Sequence, residues 1–190
     1  MQPTGTSIRR LWRDQRFRLG VLVVALAIVG GSVYQTHADG LWSLGAIRAK
    51  INLAQAESQL RRDPQDLAAL ISAGVNSYQL RNYNEALRYY TQATEIDASS
   101  YLAWNNLGNV KRDLLDFWGA EAAYLKAIEL EPGYIPAYIN LSTAYFSWPI
   151  DEEGEQKQAQ IVPLLQRGLD VSPDSEELKA AIQAYQIARQ

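Results

Sequence analysis

The chain has 190 residues, enough for one folded domain and a short appendage, with no Cys and a single His, His37. The lack of Cys rules out disulfides, thiolate zinc sites and Cys nucleophiles, and the lone His leaves none for a His-rich metal cluster or a catalytic triad in the body. Residues 1–18 carry five Arg and one acid, Asp14, a net +4, whereas from residue 19 onward 13 Lys and Arg face 20 Asp and Glu, a net −7. An acidic body of this kind argues against nucleic acid as the main partner.

The basic arm, 1–18, leads into Leu19–Thr36, which contains no charged residue over 18 positions. At 1.5 Å per residue, a helix of that length spans about 27 Å, close to the ~30 Å hydrocarbon core of a bilayer. Trp12 and Trp42 flank it at the depth of interfacial aromatic belts. The stretch 19–36 is therefore expected to be a transmembrane signal anchor. Arg9, Arg10, Arg13, Arg16 and Arg18 lie just before it, so the positive-inside rule places the N-terminus in the cytoplasm. The rest of the chain then lies on the far side, periplasmic or extracytoplasmic in a bacterium. Two readings compete: a cleaved signal peptide, with Thr36-His37-Ala38 as the small-x-small site, and a buried soluble helix, which would need a polar stripe that this stretch lacks. Arg9-Arg10 is a twin-arginine pair, but Ile8 and Leu11-Trp12 match an export signal of that kind poorly. His37 reads as a polar residue beside the membrane.

Residues 41–66 read as a capping helix. Beyond them, two segments align at a spacing of 34 residues. With Tyr101 as position 1, the second copy has Trp104 at 4, Leu107 at 7, Gly108 at 8, Ala120 at 20, Tyr124 at 24, Ala127 at 27 and Pro132 at 32. The first copy, starting at Leu67, places Leu70, Ala73, Gly74, Ala86, Tyr90, Ala93 and Ala98 at the same positions, and Tyr83 and Phe117 share position 17. A third copy starts at Ile135 with Tyr138, Leu141, Ser142 and Tyr145 at positions 4, 7, 8 and 11. Its second half, Ile161, Leu165, Gly168 and Pro173, fits only after about seven inserted residues within 147–160. Residues 176–190 carry Leu178, Ala181, Ile182 and Tyr185 at helical spacing and read as a terminal cap.

This pattern resembles the tetratricopeptide-repeat (TPR) family over residues 40–190. The resemblance implies an all-α solenoid of helical hairpins, with repeats at 67–100, 101–134 and 135–175. Small residues at positions 8 and 20 would let the two helices of a hairpin approach. Asn82-Tyr83-Asn84 and Asp116-Phe117 would occupy the turns within hairpins.

The resemblance also implies a function. In such proteins the first helix of each hairpin lines a groove through positions 2, 5, 6, 9, 12 and 13. Carried over, the expected partner groove includes Ile71, Val75 and Tyr78 in the first repeat, Leu102, Asn105, Asn106, Asn109 and Arg112 in the second, and Ile139, Asn140, Thr143 and Phe146 in the third. Asn106 and Asn140, both at position 6, resemble the asparagine ladders that hold the backbone of an extended peptide. A primary amide suits that task because it both donates and accepts. The clamp that grips acidic chaperone tails is not expected. Its basic positions are Ile71, Pro136 and Asn140 here, its first Asn is Val75, and only Asn106 fits. An amphipathic helix or an extended peptide with apolar anchors is expected instead.

Trp148 in the 147–160 insertion is a candidate exposed loop contact for a partner. The neighbouring Asp151, Glu152, Glu153 and Glu155 lack the order and the Gly of an EF-hand, so they read as a solvated acidic loop with no metal expected. Asn140-Leu141-Ser142 matches a glycosylation acceptor but falls on a packed helix.

The expected function is a membrane-anchored scaffold or assembly factor, with a protein partner, no cofactor and no enzymatic activity. The alternative is a structural subunit of a larger membrane complex, held mainly through the transmembrane helix. Gly30-Gly31 could aid close helix packing there, although a tandem pair is not the small-xxx-small motif.

Overall fold

The computed structural model describes residues 44–149 and 151–188. The basic arm and the expected transmembrane stretch lie outside the described residues. Among the described residues, no helix is long and apolar enough to cross a membrane. The regular structure of the described residues is helical: α1 (Leu44–Leu60), α2 (Leu67–Gln79), α3 (Tyr83–Ile96), α4 (Tyr101–Asp113), α5 (Phe117–Leu130), α6 (Ile135–Ser147), α7 (Glu152–Ala159), α8 (Ile161–Val171) and α9 (Glu176–Ala188). They fall into two compact units, one reaching to Ala144 and the other running from Tyr145 onward.

In the first unit, the helices begin where short polar side chains can cap them. Asp66 accepts from the Ala69 N–H at 3.0 Å, Ser100 from Ala103 at 3.3 Å, and Asp116 from Gly119 at 2.9 Å. Each satisfies a backbone donor that the first turn leaves open. Asn82 stands at the same place before α3 without a side-chain cap bond. Tyr83 and Phe117 are the first residues of α3 and α5, so the turns within hairpins are shorter than the sequence suggests.

Those turns share one geometry. Arg81 and Leu115 adopt φ of 61° and 64°, both at position 15 of their repeats. The next residue closes a six-residue bond back to the helix, Asn82 N–H to the Ser77 carbonyl (2.9 Å) and Asp116 N–H to the Lys111 carbonyl (2.8 Å). This is the Schellman arrangement, which usually places Gly where these chains have Arg and Leu.

The 34-residue period has a packing cause. A Cβ on Gly108 would stand 2.6 Å from the Tyr124 ring, and one on Gly74 would stand 2.6 Å from Tyr90. Each tyrosine lies flat against its own hairpin's glycine. Tyr90 then packs with Leu107, Val110 and Ala123, so it also joins one hairpin to the next. Position 4 stitches the joint between hairpins. Trp104 Nε1 donates to the Ala98 carbonyl at 2.9 Å, and the Tyr138 hydroxyl donates to the Pro132 carbonyl at 3.1 Å, each reaching six residues back. At α1, Ala56 packs with Leu70, Ala73 and Tyr89, so the capping helix is a half-hairpin closing the core.

The second unit corrects the sequence reading of 147–160. Glu152–Ala159 form the short helix α7 in place of a loop, while Asp151, Glu152 and Glu155 stay exposed. Asp151 caps it by accepting from the Gly154 N–H at 2.8 Å. Glu152, Glu153 and Glu155 lie in its first turn, where the helix dipole favours acids. Trp148 is 3% exposed and so is no loop anchor. Its ring lies 6.3 Å from that of Tyr145, and the Lys157 ammonium sits 5.0 Å above it. The Tyr185 hydroxyl of α9 donates to the Gln158 carbonyl at 2.6 Å and ties the terminal helix to α7.

Candidate functional site

The first helices of the hairpins, α2, α4 and α6, stand side by side, and polar side chains bridge them at a constant offset. Between α2 and α4, the Tyr78 hydroxyl donates to Asp113 Oδ2 at 2.5 Å, across 35 residues. Between α4 and α6, Asn140 Nδ2 donates to Asn105 Oδ1 at 3.0 Å, again across 35 residues. Neighbouring helices in the row are thus linked between a residue and the one a repeat and one step away.

The Tyr78 end forms a compact network. Arg112 Nε donates to Asp113 Oδ1 at 2.9 Å, and its Nη2 lies 3.5 Å from the Tyr78 hydroxyl. The two charged side chains are only 19% and 24% exposed, so the pair is well shielded from water. Burial alone would lower the Arg112 pKa, but attraction to Tyr124, Asp113 and Tyr78 outweighs it and leaves the guanidinium firmly charged. Burial first, and then the bond to Asp113, push the Tyr78 hydroxyl well above the usual phenol range. Asn109 accepts from the Tyr124 hydroxyl at 2.8 Å, so its amide braces the tyrosine that fills the Gly108 notch.

The expected groove residues therefore fall into three groups. Tyr78, Asn109 and Arg112 are gathered into one network on α2 and α4. Ile71 packs against the Leu70 cluster, and Val75 joins Tyr78 on the Tyr90 cluster, leaving both half-buried. Leu102 is 41% exposed, Asn106 is half-buried with no side-chain hydrogen bond among the described residues, and Ile139, Asn140 and Thr143 are half-buried on α6.

Three expectations are corrected. Asn105 is 3% exposed, so it faces neither solvent nor a ligand and instead supports Asn140 from behind. Thr143 turns its hydroxyl back to the Ile139 carbonyl at 2.9 Å, leaving its methyl as the outward part. Phe146 belongs to the second unit, where it meets Tyr185 edge-on with ring centroids 6.2 Å apart. Asp113 occupies position 13 of the second repeat, and Tyr124, on α5, is the network residue that lies outside the groove positions. Asp113 stands beside Arg112, one repeat and one step after Tyr78.

A 330 Å³ cleft opens elsewhere, at the junction of α1, α2 and α3, lined by Leu60, Arg61, Pro64, Arg88 and Tyr89 among others. It shares no residue with the α2–α4–α6 face.

This architecture is TPR-like. Similar solved structures include the first TPR of Spaghetti (RPAP3) bound to the HSP90 peptide SRMEEVD. It superposes with a TM-score of 0.55 at 23% identity, over 67% of this chain and 95% of that one. A MamA double mutant (RS-1 ArsTM) superposes with a TM-score of 0.57 at 14% identity, over 93% of each chain. In sequence, the chain is similar to the STIP1 homolog of Dictyostelium discoideum, 26% identical over 115 residues and 60% of this chain. The chain spans only 19% of that relative's length. No protein-family model matches the chain.

Proposed function

We propose that this chain is a membrane-tethered interaction scaffold or assembly factor, in which the α2–α4–α6 face receives a partner's extended peptide or amphipathic helix. The observation that carries this reading is the face itself: its helices are locked to one another by polar bridges, yet Leu102 stays 41% exposed and Asn106 keeps its amide unused. A rigid surface with unspent hydrogen-bonding capacity binds without first being ordered. The Spaghetti module, of like fold, holds a peptide, which supports a peptide as the class of ligand. The acidic chaperone tail is disfavoured because Ile71 and Val75 stand where a clamp needs a base and an amide. An apolar anchor against those two side chains, with Asn106 and Asn140 on the ligand backbone, fits better.

The charge-free stretch 19–36 supports the tether, and the Arg cluster before it supports a cytoplasmic N-terminus with the hairpins across the membrane. Tethering raises the local concentration of any partner on the same membrane, so modest affinity suffices.

The test is co-purification from membranes of full-length chain carrying Leu102→Glu with Asn106→Ala. Recovery of partner should drop about tenfold, equivalent to about 1.4 kcal/mol of binding, with an unchanged melting curve. Recovery equal to that of the native chain rejects the face as the binding site. Replacing 19–34 with an unrelated membrane span should leave recovery intact.

A further inference from the structure

Helix α1 has two apolar faces. Ala49 and Ala56, each 2% exposed, turn inward, and Leu53 and Leu60 pack on the Leu70 cluster. Leu44, Ile47 and Ile51 do not, being 87%, 41% and 62% exposed. At about 100° per residue these three fall within an arc of about 60° on the side opposite the core. Arg48 borders one edge of the stripe and Lys50 the other, and both are exposed. Residues 40–56 contain no acid, whereas residues 57–190 hold 11 Lys and Arg against 19 Asp and Glu. The outer face of α1 is thus an apolar stripe between two cations, at the basic end of an acidic body.

Only residues 37–43 separate this helix from the charge-free stretch that ends at Thr36. Fully extended, that connection reaches at most about 29 Å. If the stretch lies in a bilayer, α1 cannot stand far from its surface.

We propose that α1 lies flat on an anionic lipid surface, with Leu44, Ile47 and Ile51 sunk into the headgroup boundary and Arg48 and Lys50 on lipid phosphates. The proposal rests on the tethering reading above. An exposed aliphatic stripe flanked by bases is the pattern of interfacial helices, whose apolar faces sink about 5–10 Å. The two long basic side chains would extend along the stripe's edges and keep their charges at the headgroups. The acidic remainder is repelled by the same surface, so the scaffold would be held by one end with its hairpins directed away.

Because the chain has no Cys, single-Cys variants can be labelled cleanly. Full-length Ile51→Cys and Ala122→Cys, each carrying an environment-sensitive fluorophore, are reconstituted into phosphatidylcholine–phosphatidylglycerol vesicles with brominated acyl chains. The label at 51 should shift to the blue and lose roughly half its emission to bromine, while the label at 122 on α5 should not respond. Adding Arg48→Glu and Lys50→Glu should restore emission at 51 without releasing the chain from vesicles. An unquenched label at 51 on vesicle-bound chain overturns the proposal. A blue shift without bromine quenching also overturns it, and assigns the stripe to a second copy or another protein. Chain that fails to float with vesicles at all sinks the tethering reading, and this proposal with it.

Discussion

Leu115 sits at φ 64° with its side chain 73% exposed, so it is held in a left-handed conformation without any burial in return. A residue with a Cβ there costs about 1 kcal/mol, part of which glycine recovers despite its greater freedom when unfolded. Leu115→Gly should therefore stabilise the first unit by about 0.5–1 kcal/mol, read as a higher urea midpoint at unchanged slope. Sequence reasoning passed over this turn because its strongest marker, Gly at the helix end, is absent from both copies. It did locate Gly74, Gly108, Tyr90 and Tyr124, since the close fit of ring to glycine repeats every 34 residues. Asn105 shows the limit of register arguments. Position 5 places it on the exposed arc of an isolated helix, but the neighbouring helix arrives one step out of phase and seals it beneath Asn140. That phase depends on how hairpins stack, which no single-helix period contains.

At the scale of elements, the hairpins were legible and the insertion was not. Helices α2 to α6 start within a residue or two of the positions the repeat implies, because caps and apolar spacing agree there. In α7 the cues conflict. Asp151 and three Glu mark a helix start, but the segment has no apolar stripe to show what it packs on. What holds it lies in side chains that are apolar only in part: Lys157 covers the Trp148 ring, and α9 reaches the Gln158 carbonyl. Gly154 makes this junction possible. In a helix, Gly→Ala ordinarily gains about 1 kcal/mol. Here a Cβ would stand 1.8 Å from the Pro149 carbonyl oxygen, so the backbone would have to move. Gly154→Ala should therefore destabilise the second unit by about 1–3 kcal/mol, seen as a lower melting temperature and faster amide exchange in α7.

For the whole molecule, buried tyrosines set the alkaline limit. Burial pushes the hydroxyls of Tyr90 and Tyr124 well above the ordinary phenol value of 10.0. The fold keeps those protons at a pH where the unfolded chain gives them up. Their contribution is therefore complete below pH 10 and is lost as pH rises beyond it, by up to about 1.4 kcal/mol per unit for each tyrosine. Urea midpoints should be flat towards about pH 9 and fall steeply by about pH 11. A urea midpoint that stays flat through about pH 11 would show that the two rings are wet. The joints between hairpins differ in another respect. Trp104 and Tyr138 each stitch a hairpin to the preceding turn, whereas Leu70, at the same position of the first hairpin, has nothing to donate. The α1 joint is closed by apolar contact and by the Tyr89 hydroxyl on Glu57 at 3.2 Å. Within the first unit, a force applied at Leu44 would therefore meet apolar packing and the Tyr89–Glu57 bond at the α1 joint, whereas at the α3–α4 joint it would meet the Trp104 bond to the preceding turn.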